Sequence, residues 1–316
     1  MIGRQSVWSN PDIQALVTAR FVPSADEVWR LQNVAGPEQD VFMRCADQGH
    51  YQGRGNTRQG IYACAPNGRF LASLNSNQPD AVEGMLKDAL ERWEALPEAD
   101  RYLDKAALAR TVTRNEDRFP AGGLALRVTS RDLPRTPPAA ARSEWTERAH
   151  NVDFAWYTKD EARAFLPAYD QVAKGIRFAP PPELVGRLAR FHFVDNVRGQ
   201  TAGYDLGSVK TARLDVTVAK VAKGVIEVTL AGETSTEQDE RGMTLKLYGT
   251  AKFDPRLEKF TAFELVATGA RWGATRFNFR EDDRERAPIG FLVTLESDDP
   301  MGRVAPAELG NYGWPR

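Results

Sequence analysis

The sequence predicts an α+β chain of two domains, an α/β domain followed by an antiparallel β-meander domain with added helices. Three observations carry this reading. At 316 residues the chain exceeds the length at which a single core usually stops growing. Its N-terminal third mixes helical apolar spacing with one short hairpin, and beyond Gly207 the apolar period changes from helical to two. The boundaries read from composition are 1–97 for the first domain, 98–120 for a helical linker and 121–316 for the second domain.

In the first domain, Asn10-Pro11-Asp12 ahead of Ile13, Leu16 and Val17 marks a helix start, since Pro suits the first helical position and an acid suits the positive end of the dipole. Phe21-Val22-Pro23 reads as a short strand. Pro37-Glu38 opens a helix carrying Val41, Phe42 and Cys45 at helical spacing, with Gly49 beyond its end. Gly60 to Leu74 reads as two strands around Pro66-Asn67-Gly68, with Asn67-Gly68 supplying positive φ for a tight turn. Cys64, between Ala63 and Ala65, is expected to be a small buried side chain. A long helix follows, capped by Asp80, whose buried stripe is Val82, Met85, Leu86, Ala89, Leu90 and Trp93.

That order of helix, strand, helix, hairpin and helix, with the phrase Pro11-Asp12-Ile13-Gln14-Ala15-Leu16 leading to Phe21-Val22-Pro23, resembles a thioredoxin-like domain over about residues 1–96 of an uncharacterised bacterial two-domain protein. The resemblance implies a fold. It does not carry the redox activity over, because no cysteine precedes Pro11, no pair of cysteines lies two residues apart, and Gln59 and Gly60 stand where the family places a cis-proline.

The loop from Gly49 to Gly60 gathers His50, Tyr51, Arg54, Arg58 and Gln59 among glycines, and is the most function-like loop of the chain. Glycines let backbone N–H groups approach an anion, and Arg can grip phosphate or carboxylate. Gly53-x-Gly55 lacks the third glycine of a dinucleotide fingerprint, no Gly-Lys-Ser/Thr follows, and a strand rather than a helix comes next. The alternative is a flexible surface connection whose arginines pair with nearby acids.

Tyr102, Leu103, Ala106 and Leu108 suggest a short linker helix, and Leu124 to Thr129 alternates as a strand. The Pro- and Ala-rich stretch near 133–141 reads as an insertion. Thr158-Lys159-Asp160-Glu161 is a capping box, and a helix is expected from Pro182 to about Phe191. Period-two runs then centre on Val216, Val228, Leu247, Leu265 and Phe291, joined by turns such as Lys223-Gly224 and Asp254-Pro255. Four or five such strands make a curved sheet or a partly open barrel.

Lys+Arg 42 against Asp+Glu 43 leaves no net field, which argues against nucleic acid as a partner. No apolar run approaches the roughly 20 residues that span a bilayer. The start has no signal-peptide core, so a soluble cytoplasmic protein is expected, or a periplasmic or secreted one if an export signal has been removed. Two cysteines cannot form a disulfide framework, and whether Cys45 and Cys64 approach within the roughly 7 Å a bridge needs is not fixed by sequence. His50, His150 and His192 are far apart, so neither a metal nor another cofactor is expected. Arg190 to Gly199 is a second polar cluster, in which His192 could serve as an acid or base if Asp195 orients it, beside Asn196 and Arg198. Trp272, with Arg276, offers a stacking surface, and Glu281 to Arg286 reads as a solvated loop.

The function expected from these residues is a redox-inactive binding protein taking a protein partner or a small anionic ligand at the Gly/Arg-rich loop. The rivals are a single-thiol enzyme using Cys64 and a scaffold subunit of a larger complex. Oligomeric state is not legible.

Overall fold

The computed structural model describes residues 7–26, 28–102, 118–136, 144–222, 224–297 and 303–314. The chain divides into two compact units, Met1–Thr113 and Arg114–Arg316. Most of the expected linker helix and residues 137–141 of the Pro-rich insertion lie outside the described residues.

Unit 1 is built on one hairpin. Helix α1 (Pro11–Arg20) begins as expected, with the Asn10 side chain accepting from the Asp12 and Ile13 N–H groups. Phe21 to Pro23 is not a strand: Phe21 caps α1, Val22 is fully exposed, and Pro23 has no N–H to offer a ladder. A short helix, α2 (Val28–Asn33), stands before α3 (Pro37–Ala46). Strands β1 (Ile61–Cys64) and β2 (Phe70–Leu74) then pair antiparallel as a two-stranded sheet. Only Gly68 in their turn takes a left-handed φ, 80°, and its N–H bonds the Ala65 carbonyl at 2.8 Å; Asn67 does not share the positive φ expected of it.

Helix α4 (Pro79–Glu94) carries the expected stripe: Val82, Met85, Leu86 and Ala89 are buried. Asp80 lies inside its first turn rather than at the cap, where its charge still meets the positive end of the dipole. These residues pack with Ile13, Ala63, Ala65, Leu71 and Ala72 into one core. The opposite face of β1 meets α3, where the Phe42 and Tyr62 rings stand edge to face at 5.7 Å. A four-residue helix, α5 (Glu98–Arg101), ends the described part of this unit.

Unit 2 is one open, eight-stranded antiparallel sheet. Its strands are β3 (Leu124–Asp132), β4 (His150–Tyr157), β5 (Arg177–Phe178), β6 (Val209–Ala222), β7 (Val225–Gln238), β8 (Arg241–Asp254), β9 (Lys259–Trp272) and β10 (Ala287–Leu295). The order is β4-β3-β10-β9-β8-β7-β6-β5, so β10 closes back on β3 while β6 to β9 form the expected meander. The edge strand β4 had no signal strong enough to be read in advance. Short helices α6 (Glu144–Arg148), α7 (Lys159–Arg163) and α8 (Pro182–Arg187) join the strands. Thr158 and Glu161 complete the reciprocal capping box that starts α7. Alternate residues of every long strand, among them Leu126, Val216, Leu247, Leu265 and Phe291, pack with Leu184, Val185 and Leu188 into the main core.

One end of this sheet holds a buried charge network. Arg280 donates two hydrogen bonds to Asp132, at 2.7 and 2.8 Å, and two to Asp195, also at 2.7 and 2.8 Å. Arg271 bonds the Asp283 carboxylate and the Asp283 carbonyl, and Arg198 reaches Asp132 at 3.1 Å and Asp283 at 2.8 Å. Arg271 and Arg280 have no exposed surface. Five of the six residues from Glu281 to Arg286 are exposed, as expected of a solvated loop, but Asp283 is buried against four arginines, Arg135 included. Removing one partner from such a cluster strands an uncompensated charge, so Arg280→Met should lower stability by about 3–5 kcal/mol in chemical denaturation.

Burial opposes ionisation of Asp132, but the Arg280 hydrogen bonds with the Arg280, Arg198 and Arg271 charges outweigh it and hold the carboxyl at about 2. An acid depressed in the folded state contributes stability fully present above its unfolded value, which is lost as pH falls toward the folded value. The window here runs from about pH 4 to pH 2, with roughly 2 kcal/mol at stake. Stability of the wild-type chain should fall through that window more steeply than that of Asp132→Asn, measured by denaturant titration at each pH.

Candidate functional site

The Gly-rich loop is tied down by the residues expected to serve a ligand. The His50 N–H donates to Ser73 Oγ at 2.8 Å, His50 Nδ1 lies 2.9 Å from the same oxygen, and Nε2 lies 3.2 Å from the Gln59 carbonyl. The Gln59 carbonyl can only accept, so Nε2 carries hydrogen in this contact. The imidazole lies between Tyr51 and Tyr62, with ring centroids 4.4 and 5.2 Å away, and Tyr51 accepts from Asn75. Gly60 is required beneath it, since a Cβ there would stand 2.3 Å from His50 Cε1.

Arg58 is buried inside the loop. Its Nε donates to Asp47 at 2.9 Å and its Nη1 to the Arg54, Gly55 and Thr57 carbonyls, so it ties the loop to itself. Arg54 is exposed and bonds the Gln52 side chain at 3.3 Å. Gln59 is exposed, its N–H bonded to Thr57. The expected surface connection whose arginines pair with nearby acids is met at Arg58–Asp47, and its backbone is left-handed at Gln52, Gly53 and Gly55.

Beside this loop lies an open groove of about 570 Å³. Gln48, His50 and Gln52 form one rim, Phe70, Ala72 and Leu74 of β2 form a wall, and Gly84, Met85, Asp88 and Arg92 of α4 line the other side. Two sequence features create it. Beyond β2 no further strand is paired among the described residues. Gly84 sits within α4 without a side chain, and a Cβ built there meets nothing within 4 Å. At the bulge in the hairpin Leu71 has no opposite number on β1, and Arg92 Nη1 donates to its carbonyl at 2.5 Å. The groove thus offers mixed polarity, one histidine, one acid and one arginine, along a strand edge. Gly84, Asp88 and Arg92 had not been read as site residues, though a glycine at an outer position within an amphipathic helix was a visible signal.

The second polar cluster is interior. Leu188 to His192 continues α8 as a π turn, with the Phe193 N–H reaching the Leu188 carbonyl at 2.7 Å, and this brings His192 under β4. There Nδ1 meets Asp153 at 2.7 Å and Nε2 meets the Tyr312 hydroxyl at 2.5 Å. Asp153, not Asp195, orients this histidine, because Asp195 is committed to Arg280. Burial pushes the Tyr312 hydroxyl well above its ordinary value, so it stays protonated. With the His192 side chain fully enclosed, this trio fastens the C-terminal segment to β4. Asn196 accepts from the Thr201 N–H, Arg198 belongs to the charge network, and Trp272 is sandwiched between the Arg286 guanidinium at 3.7 Å and Gly242.

Cys64 is exposed instead of buried, and faces α3 instead of the core. Its interaction with Cys45, together with the partial enclosure of its sulfur, raises its pKa far above the ordinary thiol range, which slows it as a nucleophile. Among the described residues, no helix is long and apolar enough to cross a membrane, and no group of three His, Cys, Asp or Glu side chains is placed to hold a metal.

These positions separate the two loop arginines. Arg58→Ala should cost about 2 kcal/mol, the scale of hydrogen bonds from a charged donor, whereas Arg54→Ala should stay within about 0.5 kcal/mol, both read from chemical denaturation. No protein family, curated protein or solved structure matches this chain.

Proposed function

We propose that the protein is a non-catalytic binding protein whose unit 1 grips an extended peptide segment of a protein partner in the groove beside β2. The observation that carries this reading is the groove itself, about 570 Å³ of open space along a strand edge. An extended peptide binds such an edge by adding a strand: main-chain hydrogen bonds supply affinity, and alternate side chains enter the flanking pockets. The wall of Phe70 and Leu74 suits apolar peptide side chains, while Gln48, His50 and Gln52 at one side and Asp88 and Arg92 at the other suit polar ones. The absence of side chain at Gly84 lets a second backbone approach α4. Tying Arg58 and His50 into the loop also fits, because a rim held in place loses less freedom on binding.

A matched pair of substitutions tests the site without unfolding it. Gly within a helix is about 1 kcal/mol less favourable than Ala, so Gly84→Ala should raise stability by about that amount and leave the groove open. Gly84→Leu should also be at least as stable as wild type but fill the groove. Peptides selected from a displayed random library against the full chain should bind wild type and Gly84→Ala alike and bind Gly84→Leu at least about tenfold more weakly. Selected peptides that bind all three proteins equally would remove the groove as the site.

A further inference from the structure

The two cysteines, 19 positions apart in sequence, meet across the face of the hairpin that α3 covers. Phe42 and Cys45 lie one turn apart on α3, and Tyr62 and Cys64 lie two apart on β1, so the Phe42–Tyr62 ring contact carries the cysteines into register as the next pair along the same seam. The Cys45 and Cys64 side chains interact, and the Cys45 thiol donates to the Gly68 carbonyl at 3.1 Å. Cys45 is buried and Cys64 is open to solvent. One sulfur is therefore within reach of a small oxidant, and the other waits behind it.

We propose that Cys45 and Cys64 are a reversible dithiol–disulfide pair that staples α3 to β1. The reaction is two exchanges with a small-molecule disulfide such as glutathione disulfide. In the first, the Cys64 sulfur attacks one glutathione sulfur, the glutathione S–S bond breaks, and one glutathione thiolate leaves, taking up the proton that Cys64 loses. In the second, the Cys45 sulfur attacks the Cys64 sulfur, the mixed disulfide breaks, and the second glutathione leaves with the Cys45 proton. Two electrons pass from the protein sulfurs to glutathione, and the products are one protein disulfide and two glutathione thiols.

In the resting pair the interaction with Cys64, opposed by burial and aided by Arg44, lowers the Cys45 thiol, while the same interaction raises the Cys64 thiol. The first step is the slow one, since Cys64 holds its proton tightly. Oxidation is accordingly expected to speed up as pH rises. The closed ring encloses residues 46–63, which include the whole Gly-rich loop, so oxidation fixes the base of the groove's rim. The pairing itself does not depend on what the groove binds.

The test equilibrates the folded full-length chain with glutathione and glutathione disulfide at graded ratios, quenches with acid, alkylates free thiols and locates the cross-link by peptide mass spectrometry. The expected result is a monomer lacking two hydrogens, with Cys45 and Cys64 joined and protected from alkylation, and a single redox midpoint. Cys45→Ser should trap a glutathione adduct on Cys64, and Cys64→Ser should form little adduct, because Cys45 is covered. Wild-type protein that stops at the Cys64 adduct, or keeps both thiols alkylatable at the most oxidising ratio, would overturn the proposal. The wild-type result decides it even if a variant folds poorly.

Discussion

Both sheets of this protein are open, and an open sheet has edges whose N–H and C=O groups need partners. In unit 2 that requirement is met in part. Strand β5 pairs with only two residues of the 14-residue β6, and residues 303–314 lie beside β4, where the Tyr312 hydroxyl meets the Trp156 N–H and the Ala307 N–H meets the Asp153 side chain. Arg187 adds to this contact by donating to the Trp156 carbonyl while its guanidinium faces the Tyr157, Tyr312 and Trp314 rings. In unit 1 the sheet is a single hairpin, too small to stand alone in water. Helices cover its faces, and the His50 loop is fastened across Ser73 and Gln59, but the outer side of β2 opens onto a groove. The candidate site is the place where the edge of β2 stays open within unit 1.

The buried charge network follows from the same geometry. At one end of the sheet the inward-facing positions of β3 and β9 turn from apolar to charged, opposite Ile289, Met243 and Ala287 on the neighbouring strands. Asp132 and Arg271 occupy those positions, and Asp195, Arg198, Arg280 and Asp283 come in from the loops to match them. Asp132 and Asp283 each pair with more than one guanidinium, Asp195 takes two hydrogen bonds from Arg280, and this multiple pairing offsets the desolvation cost of burying so many charges. Gly199 is part of the fit, because a Cβ there would stand 2.0 Å from the Phe277 carbonyl. The result fixes the β9–β10 loop to the segment after the π turn.

Periodicity made most elements legible: the long strands of unit 2, the α4 stripe and the Thr158 capping box were all visible in the spacing of apolar and capping residues. Phe21 to Pro23 misled because two β-prone residues before a proline say nothing about whether a neighbour exists to pair with, and Val22 has none among the described strands. The charge network was hidden in plain sight. Arg271 is in phase with Phe263, Leu265 and Ala267, and Asp132 with Leu126 and Val128, so each charge lay on the inward face of its own strand. Reading Glu281 to Arg286 by composition alone placed Asp283 in water, because alternating signs describe a salt-bridged interior as well as a solvated loop.

Polar density proved a weaker guide to function than unfilled space. The His192 segment and the arginines of the Gly-rich loop stood out because charged and aromatic side chains were crowded together, and crowding is also what a satisfied interior requires. His192, Asp195, Arg198 and Arg58 all have their partners within the fold. Gly84 is the opposite case, a residue whose surroundings are open although its helix would gain about 1 kcal/mol from Ala in its place. By forgoing that helix stability and filling no space, the position keeps the side of α4 that lines the groove open.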